Sequence, residues 1–148
     1  MAWNIRFFSE SNGRQPAREW LTSLTPPRRA AAIAAIEHVL TDLGPDVCKT
    51  EYGKHLGKGL FEFRIRHDEG VIRSKMEKEA GGKKRESVLL RIFCHAYGER
   101  IVLLLGGYDK GAAPGDRRQQ REIETARKRL RSFKLQRARS QTGRRRRQ

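Results

Sequence analysis

Apolar residues recur along this chain with two periods, and the change from one to the other divides it into elements. Trp3, Ile5 and Phe7 alternate with Asn4 and Arg6, which predicts a first strand over residues 3–8. Ser11-Asn12-Gly13 ends it. Pro16 is placed to open a helix whose apolar face is Trp20, Leu21 and Leu24. Thr25-Pro26 reads as an N-cap with proline in the first turn of a second helix. Ile33, Ile36, Leu40 and Leu43 form the predicted stripe of that helix, and Gly44-Pro45 stops it. The period then shortens. Leu60 to Arg66 alternate as a half-buried strand with Glu62, Arg64 and Arg66 on its polar side. Val88 to Tyr97 is another strand, and Gly98-Glu99 a tight turn. Ile101 to Leu105 is apolar throughout, the pattern of a central strand covered on both faces. Ile123, Ala126, Leu130 and Phe133 make one stripe on a charged final helix. The predicted order is β-α-α-β-β-β-α. It describes an α+β domain with a mainly antiparallel sheet, two N-terminal helices and a C-terminal helix.

Two segments stand outside that pattern. Residues 67–87 are rich in Lys, Glu and Gly and read as a long hairpin-loop insertion. Residues 139–148 contain no apolar side chain and read as a disordered basic tail, which leaves a domain over residues 1–138.

Charge sharpens the picture. The net charge is +16, for which a polyanion partner is the simplest reading and a basic solvated surface the alternative. Yet Arg117 to Gln148 hold fourteen Lys/Arg against two Glu, a net of +12, which leaves +4 for residues 1–116. Most of the excess therefore belongs to the last helix and tail. Two cysteines, Cys48 and Cys94, are too few for a disulfide framework and read as small core residues, which fits a reducing cytoplasm. The N-terminal residues do not read as a signal peptide, and no run approaches the length of a membrane span.

The four histidines are scattered without metal-ligand spacing, and Gly53, Gly57 and Gly59 do not form a phosphate-binding glycine loop. No metal or cofactor is expected. The remaining chemistry lies in cations on or beside strands: Lys54, Lys58, Arg64, Arg66, Arg91 and Lys110. RNA carries its own nucleophile, the 2′-hydroxyl. Fixed cations stabilise the charge that gathers on the phosphorus oxygens in the transition state, while a base and an acid move two protons. The competing reading is equally physical: strand arginines commonly lie on solvated faces or pair with acids.

Several stretches resemble toxins of the RelE/HigB type, in particular their phage-derived branch. They are Leu56-Gly57-Lys58-Gly59-Leu60-Phe61-Glu62-Phe63-Arg64, Leu90-Arg91-Ile92-Phe93, and Leu104-Leu105-Gly106-Gly107-Tyr108-Asp109-Lys110-Gly111. Asn12 to Pro16, and Pro114 followed by Glu122-Ile123 and Ala126-Arg127, add two weaker pieces in the same order. The resemblance spans roughly residues 3–133. It implies a microbial-RNase-like fold and the toxin of a type II toxin–antitoxin pair, a cytoplasmic, ribosome-dependent mRNA interferase that inhibits translation. Its partners would be mRNA on the ribosome and a HigA-like helix-turn-helix antitoxin.

Carried onto this sequence, the resemblance implies Arg91 and Lys110 as phosphate stabilisers and Arg64 as a positioning group. Lys54 would transfer a proton, Lys58 and Arg66 would bind RNA, and Tyr108 would stack on a base. The chain departs from the family in carrying one lysine beside an acid in Asp109-Lys110-Gly111, and in the length of the 67–87 insertion. Glu62 is expected to pair with a neighbouring arginine and hold the strand. Two other readings remain: a toxin of the same fold without nuclease activity, such as a ParE-like gyrase inhibitor, or a non-catalytic basic nucleic-acid-binding module.

Overall fold

The computed structural model describes residues 2–66, 88–112 and 115–147, with side chains as far as Gln141. The expected hairpin insertion at 67–87 and Pro114 lie outside the described residues. The architecture is α+β, built on a five-stranded mixed sheet with helices on both faces. In chain order the elements are β1 (Asn4–Phe7), α1 (Pro16–Ser23), α2 (Pro26–Ala35), β2 (Gly53–Gly57), β3 (Leu60–Ile65), β4 (Leu90–Tyr97), β5 (Ile101–Asp109) and α3 (Asp116–Arg147).

The sheet order is β1-β5-β4-β3-β2. Strands β2 to β5 form an antiparallel meander, and β1 joins the far edge parallel to β5. The expected antiparallel character therefore holds for three of the four pairings. β5 is the inner strand that its apolar run predicts. Val102 and Leu104 face the α1/α2 side, while Leu103 and Leu105 face α3. At roughly 1.5–3 kcal/mol for each fully buried aliphatic side chain, this strand contributes to both cores at once.

Three expectations need correction. The first is a missing strand. β2 pairs with β3 through the two-residue turn Lys58-Gly59, whose φ angles of 54° and 83° are those of a primed hairpin turn. Gly-Lys-His-Leu-Gly lacks alternation because β2 is an edge strand that buries little. The second concerns α2. Its buried residues are Ala31, Ala32, Ala34 and Ala35, whereas Ile33, expected in the core, is 42% exposed. A π-helical turn over Ile36–Leu40 follows, then one α turn over Thr41–Leu43 and a 3-10 helix over Gly44–Lys49. The π turn changes the phase of the helix, so a single 3.6-residue stripe cannot describe its two halves. The third is the C-terminus. α3 continues to Arg147, through the stretch read as a disordered tail. Arginine and glutamine are good helix formers and need no packing partner to extend an established helix.

α3 lies across the sheet face opposite α1 and α2. Ala126 and Leu130 are buried against Leu60, Phe93, Leu103, Leu105 and Tyr108. Arginines tie it down as well. Arg127 donates to the carbonyls of Leu56 and Gly57 at the β2–β3 turn, and Arg129 donates to Leu105 O at 3.1 Å. Leu105 is the extra residue of a β-bulge: Phe93 pairs with Gly106, but Cys94 pairs with Leu104. Its carbonyl is thus free for Arg129. The guanidinium lies where a side chain at residue 106 would be, with Nη1 only 2.3 Å from an ideal Cβ position, so glycine belongs there.

Candidate active site

Alternation places the polar residues of β3 on the α3 side of the sheet, and strand pairing aligns them with β4 and β5. Arg64 pairs with Arg91, and Arg91 with Tyr108, so the three form one row across three strands. The next row holds Lys54 opposite Glu62, then Phe93. Four of the seven predicted site residues, Lys54, Arg64, Arg91 and Tyr108, therefore share one region around Glu62.

Glu62 is the centre. It is fully buried, and its Oε1 accepts a hydrogen bond from Arg64 Nε at 2.9 Å. Arg91 Nε lies 3.1 Å from the same oxygen in an ion pair whose N–H is not aligned for a hydrogen bond. Arg91 is 3% exposed and Tyr108 2%. Among the described residues, Glu62 Oε2, Arg91 Nε and Tyr108 Oη are buried without a hydrogen-bond partner. Such groups cost about 1–3 kcal/mol each when left unsatisfied, so this face of the sheet concentrates a cost in stability.

The electrostatics follow from that burial. Desolvation pushes the Arg91 guanidinium below its ordinary value; Glu62 opposes the shift, and Arg64 and Arg66 add to it. Burial raises the Tyr108 phenol, and Glu62 raises it further. Tyr108 therefore holds its proton at neutral pH and can only donate it. Tyr108 packs in one cluster with Ile123 and Ala126, which sets the N-terminal half of α3 against it.

Tyr108 does not present its ring as expected. It is stacked on Phe93, with centroids 6.0 Å apart and planes 8° from parallel, and no base reaches it in this arrangement. The bulge at Leu105 shifts the phase of β5, so Tyr108 falls on the face covered by α3 rather than on the one covered by α1 and α2. Arg91 is likewise directed at Glu62, the pairing the sequence leaves open.

Lys54 and Arg66 are exposed at the edge of the cluster. Lys110 follows β5 directly, with its backbone N–H bonded to Leu89 O at 2.9 Å, just beyond the Arg91–Tyr108 row. Its neighbour Asp109 is taken by Arg28 at 3.0 Å on the other side of the sheet, so the acid does not neutralise the lysine. Lys58 is elsewhere: it occupies the β2–β3 turn, at the opposite end of β3 from Arg64.

At that end Lys58 joins residues that strand patterning does not single out: with Arg127, Leu130, Arg131 and Lys134 it lines a groove of about 130 Å³ between the turn and α3. The sequence signal for it is the spacing of Arg127, Arg131 and Lys134, four and three apart along the helix, which a net charge alone does not resolve. Among the described residues no group of three or more His, Cys, Asp or Glu could hold a metal ion, and no helix is long and apolar enough to cross a membrane. No known family model matches the chain, and no curated protein matches it significantly.

Proposed function

We propose that this chain is a RelE/HigB-type toxin: a ribosome-dependent endoribonuclease that cuts mRNA and is silenced by a helix-turn-helix antitoxin. The observation that supports this reading is the cofacial cluster of Arg64, Arg91 and Tyr108 around the half-satisfied carboxylate of Glu62.

The cleavage balances without a metal. The 2′-hydroxyl attacks the adjacent phosphorus and gives its proton to a base. The P–O5′ bond breaks, and the leaving oxygen takes a proton from an acid, which leaves a 2′,3′-cyclic phosphate and a 5′-hydroxyl. Arg91, Arg64 and Lys110 supply positive charge to the phosphoryl oxygens. A phosphate would displace Glu62 as the partner of Arg91, since a guanidinium binds either anion through two donors. Lys54, opposite Glu62, remains the candidate for proton transfer; Tyr108, held protonated, can serve as a donor. Access to Arg91 and Tyr108 requires the N-terminal half of α3 to yield.

Induced expression should arrest growth and yield mRNA broken within codons on translating ribosomes, read by primer extension. Arg91→Gln should lower cleavage by about 100-fold or more, the scale of a lost charge stabiliser. Growth arrest with intact transcripts would refute the nuclease reading. A second reading, a non-catalytic nucleic-acid-binding module, is favoured by the burial of Arg91 and Tyr108. It requires RNA binding that survives Arg91→Gln with no cleavage by the unaltered chain.

A further inference from the structure

The groove at the far end of β3 has features that the cluster lacks. Lys58, Arg131 and Lys134 are exposed and form no ion pair among the described residues, while Arg127 is half-buried. No carboxylate lies on α3 beyond Glu124. Arg127, Arg131 and Lys134 share one helix stripe, with neighbouring side chains about 5–6 Å apart. Leu130 forms an apolar floor between them.

Two of the cations along this face, Arg127 and Arg137, are held in place. Arg127 pins the β2–β3 turn through the carbonyls of Leu56 and Gly57. The same turn is fastened from the sheet by His95 Nδ1, 2.8 Å from Gly59 O. Next to it Phe133 packs edge-on against His95 and Tyr97, with centroids 6.2 Å and 4.8 Å away. Arg137 lies over Tyr97 at 4.8 Å, a fixed cation continuing the row. Preorganised cations beside part-exposed aromatic rings form the surface that tracks a single-stranded backbone.

We propose that this groove holds the phosphodiester backbone of single-stranded RNA, about 13 Å along the strands from the Arg64–Arg91 row of the cluster. The separation follows from register. Leu60 pairs with His95 beside the groove, and Arg64 pairs with Arg91 four residues on. α3 spans both places, with Ile123 and Ala126 packed in one cluster with Tyr108 and Arg127 to Lys134 at the groove. A strand lying along the helix would bring one phosphate to the cluster and seat its neighbours in the groove. Because the contacts are to phosphates, binding here is indifferent to base sequence. The choice of RNA over another polyanion rests on the ribonuclease reading; the geometry of the groove does not.

The test is the salt dependence of binding to a short polyuridylate, measured by fluorescence anisotropy on the full chain. Each phosphate contact contributes about 0.7 to the slope of log K against log salt for a single strand. Replacing Lys58, Arg131 and Lys134 together by glutamine should make the slope shallower by about two and weaken binding at least 10-fold at low salt. Arg131→Gln alone should remove about 0.7, which gives the same reading if the triple variant melts early. Replacing Arg144 to Arg147 by glutamine controls for the helix end. If that change removes the slope while the groove variant keeps it, the groove proposal is wrong. Equal competition by polyglutamate would overturn the choice of RNA. A reduced slope in a chain that cuts no mRNA would uphold the groove and refute the nuclease. An unchanged slope in a chain that does cut would refute the groove alone.

Discussion

Glu62 is buried with two arginines, accepting a hydrogen bond from Arg64 and meeting Arg91 only as an unaligned ion pair, so its removal should be costly for a specific reason. Glu62→Ala leaves the Arg91 guanidinium, 3% exposed, without a counter-charge. Breaking a buried pair in this way costs about 3–5 kcal/mol, a loss to be read from the urea midpoint. Removing the half-exposed Lys110 beside it should leave stability within about 0.5 kcal/mol of the parent. His95 gives a second prediction at this scale. Burial lowers its pKa from the ordinary 6.5; the Gly59 carbonyl opposes the shift, and Lys134 and Arg137 add to it. The folded chain therefore favours neutral imidazole, so the stability it contributes is present above about pH 6.5 and is lost as pH falls toward the lowered value. The melting temperature should drop between pH 7 and pH 5, and His95→Asn should flatten that drop. An identical pH profile in the variant would show that His95 is not responsible.

At the scale of elements, two adjacent glycines on β5 serve different contacts. A methyl group at residue 106 would meet only the tip of Arg129, whereas one at residue 107 would meet the Trp20 ring at 2.6 Å and the Arg91 carbonyl at 2.8 Å. Gly106→Ala can be relieved by moving Arg129 away from Leu105 O, which loses one charge-assisted hydrogen bond of about 1.5–3 kcal/mol. Arg129→Ala loses the same bond, so the double variant should cost little more than either single one, a non-additivity that a mutant cycle measures. Gly107→Ala finds backbone in its way and should be the more damaging of the two glycine changes. The two-residue repeat predicts strands β3, β4 and β5 well because their apolar positions face a core. It is silent on β2, whose glycines and exposed side chains pair only because β3 offers an edge. It also misplaces the face of α2, where alanines pack closely and a π turn resets the phase.

At the scale of the whole molecule, the charge asymmetry has a division of labour. Arg127 and Arg129 fasten α3 to the sheet, Arg131 and Lys134 line a groove, and residues beyond Ser140 extend the helix outward. Truncation after Ala138 should therefore change the denaturation free energy by no more than about 0.5 kcal/mol, while reducing affinity for polyanions at low salt. A large loss of stability on truncation would mean that the helix end packs against the body.

The sequence by itself determined the α+β class, the inner position of β5, the two-sided core, and the presence of cations on β3 and β4, because side-chain alternation fixes which residues share a face. It also left Glu62 as a pairing partner for those cations, which is where it lies. Only the tertiary structure decided which cations meet. The register of β3 on β4 puts Arg64 beside Arg91, the bulge at Leu105 puts Tyr108 on the α3 face, and the path of α3 covers one end of the sheet while opening a basic groove at the other. Those outcomes depend on contacts between residues far apart in the chain, and local periodicity carries no information about them.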